Sequence, residues 1–343
     1  GFDITGLKGD FFMDKNRLVF KNFDLKTPNS DVNGEIKMEY ENFNAFKHFN
    51  TDVQFLGEFE ETYVDGNDIG YFAPKIRGVN RKVKFKGIIS GTISDLKAHE
   101  LFFSYGKDTK FEGSISIKGL PNTKTAVIKA EVRDLETYEY DLKSIPLLPF
   151  GSGKTLKTPK WMSNMGKMVF QGKFSGIASH FEAFGLFQTV AGEIRTDVSF
   201  NRDSNNVNQI KGKVYSESFD LGRTLGEKSL GIISVSGELD ALIKEKKYSL
   251  NFSGDIPRFE FRDYAYSNIK MDGEIRDRVF SGELIVKDPN LVLDFDGEID
   301  FSKPKLQRYD FVADLKQANL NEIHWINRDS AIKVSGKVNI GLT

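Results

Sequence analysis

A short motif, in which apolar residues stand two positions before and two positions after a glycine, recurs along the whole chain. Residues 32–36 (VNGEI), 85–89 (FKGII) and 295–299 (FDGEI) are examples, and about thirteen copies occur among the 343 residues. The copies are unevenly spaced, and no change of composition divides the chain. This pattern predicts one continuous repetitive β segment over residues 1–343.

The stretch LVLDFDGEIDFS, residues 291–302, shows the period to which the motif belongs. Its odd positions from Leu291 to Phe301 are apolar or glycine, and its even positions from Asp294 to Ser302 are acidic or polar. Alternation with a period of two is typical of a β-strand with one apolar face and one charged face. The chain is therefore predicted to be all-β.

The glycine of the motif always falls in the apolar phase. Glycine weakens a flat strand, but on the inner side of a curved sheet it removes a Cβ that would crowd the bend. We therefore predict a long, curled, antiparallel-rich sheet that forms an elongated U-shaped hydrophobic groove. The alternative interpretation is close backbone contact in the core of an ordinary β-sandwich.

Helical signals are few and short, at residues 43–50 and 219–226. Residues 144–166 are rich in Pro, Gly and Lys and are predicted to form a long loop. Within that loop, GSGKT at residues 151–155 resembles the end of a phosphate-binding loop, but Leu148 stands where the motif needs its first glycine. We therefore predict no nucleotide site.

Composition excludes several classes of function. Charged residues make up 28% of the chain with a net charge of −1, which argues against binding to nucleic acid through phosphates. The absence of cysteine removes disulfides, thiolate catalysis and cysteine-based zinc sites. The only histidines, His48, His99, His180 and His324, share no metal-ligand spacing, so no metal site is predicted. No run of 18 apolar residues occurs, and a chain that starts at Gly1 is expected to be a processed or partial one.

Several short motifs follow one another in a fixed order along nearly all of the chain. They are FDLKT and SDVNG (23–27 and 30–34), DL, GKDTKFEG and LP (95–96, 106–113 and 120–121), FEAFG with Thr189 and Gly192 (181–185), DYAYSNI (263–269), and DPNL running into LDFDGEIDF (288–291 and 293–301). Their order resembles TamB-type proteins of the AsmA-like, bridge-like lipid-transfer group, in the branch found in Bacteroidetes.

This resemblance implies a U-shaped β structure, the β-taco, with a hydrophobic groove. It implies a periplasmic protein that is tethered to the inner membrane through an anchor outside this sequence. Such proteins are implicated in moving phospholipid to the outer membrane and in assembling outer-membrane proteins. The BamA-type partner is expected to bind through a region that this sequence lacks.

A lipid conduit needs a continuous lining of large apolar side chains and no catalytic residue or cofactor, so we predict that the chain is not an enzyme. The in-phase apolar residues are the predicted lining: Val32, Ile36, Met38, Phe85, Ile89, Phe111, Ile115, Ile117, Phe170, Phe174, Phe252, Ile256, Met271, Ile275, Leu293, Phe295, Ile299, Phe301, Val334 and Val338. A filled core would show the same pattern. Phe295→Asp is predicted to block loading of acyl chains while the chain stays folded.

Two other classes of protein share these signals. A transmembrane β-barrel also has strands of about ten alternating residues, although its in-phase glycines would then face lipid. An extracellular β-sandwich that binds or adheres would show exposed Trp and Tyr clusters or calcium loops. Insolubility without detergent would favour the first of these alternatives, and a soluble chain free of lipid would favour the second.

Overall fold

The computed structural model describes residues 3–72, 81–147, 153–245, 247–300, 308–326 and 332–342. Strands account for 69% of the structure and helices for 10%, which confirms the predicted all-β class with few short helices. The chain divides into two compact units, residues 1–178 and 179–343, here called unit 1 and unit 2. The glycine motif continues through both units.

Unit 1 is an antiparallel meander, in which each strand pairs with the next strand along the chain. Its strands are β1 Gly6–Met13, β2 Arg17–Lys26, β3 Asp31–Glu39, β4 Gln54–Asp65, β5 Lys82–Thr92, β6 Asp95–Tyr105, β7 Thr109–Lys118, β8 Val127–Tyr138 and β9 Lys167–Ile177. Its short helices are α1 Phe49–Asp52, α2 Gly66–Phe72 and α3 Glu139–Lys143, and 3-10 turns cover Phe43–His48 and Lys160–Met165.

Unit 2 repeats this plan with longer strands. They are β10 His180–Thr189, β11 Gly192–Arg202, β12 Asn208–Asp220, β13 Leu230–Lys244, β14 Lys247–Phe261, β15 Tyr264–Arg276, β16 Val279–Asp288, β17 Leu291–Asp300, β18 Arg308–Asn319 and β19 Lys333–Leu342, with one helix described, α4 Leu221–Leu225. The strand predicted in residues 291–302 is β17. No described helix of either unit combines the length and the apolar character that crossing a membrane requires.

The predicted loop, residues 144–166, contains some local order where the structure describes it. Pro146 and Thr155 form an isolated antiparallel bridge, and Leu147 N–H donates to the Lys154 carbonyl at 2.9 Å. The 3-10 turn Lys160–Met165 then leads into β9, and Met165 is buried. Thr155 thus pairs with the chain before it, whereas a phosphate-binding loop would continue into a helix from that point.

Tight two-residue turns set the register of β15 in unit 2. Arg262 and Asp263 join β14 to β15 with φ angles of 51° and 62°, and Asp277 and Arg278 join β15 to β16 with φ angles of 47° and 76°. Positive φ at both central residues defines the type I′ turn, whose twist matches that of paired strands. The two turns lie at opposite ends of β15.

Glycines of the motif lie where the backbone of the neighbouring strand leaves no room for a side chain. At Gly297, φ is +147°, and a Cβ would lie 2.4 Å from both the Asp310 carbonyl oxygen and the Phe311 Cα. Close approach of adjacent strands within one sheet therefore explains the glycine in β17. Gly336 in β19 differs, since nothing lies within 4 Å of the position that its Cβ would take.

This contrast makes a testable pair of substitutions. Gly297→Ala is expected to lower the free energy of unfolding by about 1–3 kcal/mol, because it forces a methyl group against the backbone at a strained φ. Gly336→Ala is expected to leave stability unchanged or raise it by up to about 1 kcal/mol, because it only restricts the unfolded chain. Urea unfolding of both variants measures the difference, and equal effects would contradict the close approach at Gly297.

A candidate apolar groove in unit 2

Strands β15 to β18 align their apolar residues in rows across the sheet. In one row Met271 lies opposite Leu284, Leu284 opposite Phe295, and Phe295 opposite Ala313. Because direct partners on adjacent strands point to the same face, such a row forms a continuous apolar band. A parallel row runs through Ile269, Val286, Leu293 and Leu315.

A row of three glycines runs beside these bands. Gly273, Gly282 and Gly297 are direct partners on β15, β16 and β17. Phenylalanine rings occupy the space that the missing side chains leave: the ring of Phe280 lies 3.0 Å from the position that a Cβ on Gly273 would take. The Phe295 ring centroid is 5.9 Å from that of Phe280.

Side chains of β14 to β19 and of the segment after β18 line an open cavity of about 640 Å³, here called the groove, whose accessible wall is apolar throughout. That volume lies within the range of about 300–1,000 Å³ that is usual for ligand sites in proteins. The lining residues are Phe259, Phe261, Tyr266, Ile269, Met271, Ile275, Phe280, Leu284, Val286, Leu291, Leu293, Phe295, Ile299, Phe311, Ala313, Leu315, Ala318, Leu320, Ile323, Trp325 and Val338.

The segment of residues 320–326, here called the strap, closes one edge of the groove. It follows β18 and reaches back to β15, where the Trp325 indole N–H donates to the Tyr266 hydroxyl at 2.8 Å. His324 Nδ1 lies 3.1 Å from the Arg262 carbonyl oxygen, so that nitrogen carries the proton. Ile323 is 1% exposed and packs into the cluster of Tyr266, Ile269 and Val286. The strap thus contacts β15, β16 and the turn that precedes β15.

A buried carboxylate anchors the strands beneath the strap. Asp288, at the end of β16, accepts hydrogen bonds from the Tyr264 hydroxyl at 2.5 Å, from Ser267 N–H at 3.0 Å and Ser267 Oγ at 2.8 Å, and from Asn290 N–H at 2.8 Å. Burial by itself would raise the pKa of Asp288, but these hydrogen bonds outweigh it and hold the pKa below its ordinary value. Burial and the bond to Asp288 raise the pKa of Tyr264 to about 12.

The groove brings together part of the predicted lining in unit 2. Six of those residues line it: Met271, Ile275, Leu293, Phe295, Ile299 and Val338. Ile256 packs against the cluster that holds Ile323, and Phe252 is buried with its ring over Gly237 and Gly254. Val334 is 40% exposed on β19 and is outside the lining, and Phe301 lies outside the described residues.

The predicted residues of unit 1 pack against one another. Phe111 is 4% exposed and belongs to the cluster of Ala98, Leu101 and Val132, against which Phe85, Ile89, Ile115 and Phe170 also pack. Met38 packs against the buried Tyr40, Ala45 and Val53. Four further residues of the predicted lining are half-buried on their strands: Val32, Ile36, Ile117 and Phe174. The part of unit 1 that the structure describes therefore uses Phe111 and its neighbours as a core.

Several groove residues were absent from the predicted lining. Phe280, Leu284 and Val286 alternate in phase with the motif glycine Gly282, so the period-two pattern could have identified them. Leu320, Ile323 and Trp325 lie in the strap, where no alternation marks them. Among the described residues, no group of three or more His, Cys, Asp or Glu side chains is placed to hold a metal ion.

The burial of Phe295 bears on the prediction that the chain stays folded when Phe295 is replaced by Asp. Phe295 is 7% exposed, and its ring lies 5.1 Å from that of Phe311. A carboxylate at this position would be buried without a partner, which is costly. Phe295→Asp is therefore expected to disturb folding.

No model of a known protein family matches the sequence, and the searches of curated proteins and of solved structures also give no match.

Proposed function

We propose that this chain shelters the acyl chains of lipids in the groove of unit 2 as part of a lipid conduit. The observation that carries this proposal is an apolar wall on one face of β14 to β19, with exposed residues at its edge. Val338 is 41% exposed and Trp325 is 57% exposed, although both line the groove. Each methylene group that leaves water for such a wall contributes about 0.8 kcal/mol.

The opposite face of the same strands suits contact with water. Lys316 pairs with Asp294 at 2.5 Å, and Lys270 pairs with Asp255 at 3.8 Å. Exposed ion pairs of this kind add little to stability, but they keep a long sheet soluble. A soluble outer face and an apolar inner face are what a carrier of acyl chains through an aqueous compartment requires.

The wider part of the proposal comes from the resemblance to TamB-type proteins. In that setting the chain conducts phospholipid between the inner and outer membranes through the periplasm, and supports assembly of outer-membrane proteins with a BamA-type partner. Movement along an apolar wall needs no catalytic residue, because only contacts between side chains and methylene groups are exchanged.

Mass spectrometry of the 343-residue chain, purified from bacteria without detergent, tests the proposal directly. The expected result is near-stoichiometric phospholipid that solvent extraction removes. A folded, soluble chain without lipid would contradict the proposal and favour a binding module whose apolar face is covered by protein.

Two variants on one strand test whether the lipid lies in the groove. Val338→Asp is expected to lower lipid occupancy at least about tenfold, because a carboxylate beside an acyl chain loses its hydration. Asn339→Asp adds the same charge to the next residue of β19, which points to the opposite face, and is expected to leave occupancy unchanged. Occupancy is measured by quantitative mass spectrometry, and equal losses in both variants would show that the lipid lies elsewhere.

A further inference from the structure

A positively charged side chain lies at the same edge of the groove as the strap. The guanidinium of Arg262 lies over the ring of Phe261, 5.3 Å from its centroid, and Phe261 lines the groove. The carbonyl of Arg262 is the acceptor for His324 of the strap. Arg262 and His324 therefore meet where the apolar wall ends and water begins.

The charge of Arg262 is not neutralised by an ion pair with any carboxylate among the described residues. Arg258, on β14, shows the contrast, because it pairs with Glu260. Burial raises the pKa of the Tyr266 hydroxyl, while the positive charge of Arg262 acts in the opposite direction. The positive charge of Arg262 thus acts on the Tyr266 hydroxyl, and the Tyr266 ring lines the groove.

Polar side chains cluster at the same edge. His324 is exposed and donates its Nδ1–H to the Arg262 carbonyl, so Nε2 of the neutral ring is an acceptor and donates only when the ring is an imidazolium. The Trp325 indole N–H and the Tyr266 hydroxyl form the adjoining pair. At the other end of β15, the turn at Arg278 also carries a guanidinium, but the strap and its His and Trp side chains lie at the Arg262 end.

We propose that the strap edge binds the anionic head group of an amphiphile whose chain lies in the groove, with Arg262 as the main contact and His324 beside it. Guanidinium groups bind carboxylates and phosphates through paired hydrogen bonds, and stacking on Phe261 holds this one in place. This inference rests on the proposed function, because it takes the groove as the site of the chain. The inference adds to the proposed function that the head group of the ligand is anionic and that it lies at the strap edge of the groove.

Competition binding on the delipidated 343-residue chain tests the inference. A fluorescent fatty acid is displaced by hexadecyl phosphate, by palmitate or by hexadecanol, which share a chain length and differ in the head group. Arg262→Gln is expected to weaken both anions about tenfold and to change hexadecanol less than about twofold. Arg262→Lys keeps the positive charge but lacks the planar, paired donors of the guanidinium. Its affinity for the anions is therefore expected to lie between those of the wild type and of Arg262→Gln.

Arg278→Gln is the matched control, because it removes the same group from a turn of the same type at the opposite end of β15. It is expected to leave all three affinities within about twofold. Equal weakening of the anions by Arg278→Gln would overturn the proposed orientation, and so would an Arg262→Gln variant that binds the anions normally.

Two further comparisons distinguish a failure of the head-group inference from a failure of the proposed function. Inorganic phosphate at constant ionic strength is expected to compete only weakly; binding of inorganic phosphate as tight as that of hexadecyl phosphate would assign the site to a free anion and overturn the amphiphile. If hexadecanol binds and the anions gain nothing from Arg262, the head-group inference fails while the groove stands. If none of the three ligands binds, the proposed function itself fails, and the head-group inference fails with it.

Discussion

Replacing Phe295 with alanine is expected to lower the free energy of unfolding by about 3–5 kcal/mol, the range that is usual for a buried phenylalanine. Phe295 is 7% exposed and lies between Phe280 and Phe311, with ring centroids at 5.9 Å and 5.1 Å. The nearby row of glycines has no side chains that could move into the space. The cavity would therefore stay open, and its lining would lose contacts on one side.

Urea unfolding followed by tryptophan fluorescence, to which Trp325 in the strap of the same unit contributes, measures this loss. Phe184→Ala is the matched control, since Phe184 is 62% exposed in the same unit and is expected to cost less than about 0.5 kcal/mol. If Phe295→Ala cost no more than Phe184→Ala, the rings over the glycine row would not be the packed centre that the structure shows.

Replacing Asp288 with alanine is expected to cost about 2–4 kcal/mol, because the Tyr264 hydroxyl and the backbone N–H groups of Ser267 and Asn290 would lose a charged acceptor at a buried position. Asp288 is 2% exposed, so water does not easily replace it. Asp296→Asn, on the exposed face of β17, is the control and is expected to change stability by less than about 0.5 kcal/mol.

The pH dependence of this second effect has a definite sign. The pKa of Asp288 is lower in the folded chain than its ordinary value of 3.8, so its contribution is complete above that value and is lost as pH falls through the folded pKa. The difference in unfolding free energy between the wild type and Asp288→Ala is therefore expected to shrink below about pH 4. A difference that stays constant down to pH 2 would contradict the role of the ionised carboxylate.

Ionisation of Tyr264 at alkaline pH removes its hydrogen bond to Asp288. Its pKa of about 12 in the folded chain exceeds the ordinary value of 10.0, so the neutral hydroxyl stabilises the fold fully below pH 10 and this contribution is lost as pH rises through 12. The contact between Tyr264 and Asp288 is therefore strongest between about pH 4 and pH 10.

The sequence by itself determined that this protein is all-β and which face of its most clearly alternating strands is apolar. Alternation in residues 291–302 predicted β17 with Leu293, Phe295 and Ile299 on one face, and all three line the groove. The prediction succeeds because successive side chains of a strand point to opposite faces. Burial of one face therefore produces a period-two alternation of apolar and polar residues in the sequence.

Only the tertiary structure decided where the groove closes and what stands at its edge. Trp325 meets Tyr266 across 59 positions, and His324 meets Arg262 across 62. In β18, a shift of register places both Leu315 and Ala318 on the inner face, although a strict period of two would separate them. Single polar contacts and bulges leave no periodic trace in a sequence, because they depend on which strands become neighbours when the sheet forms.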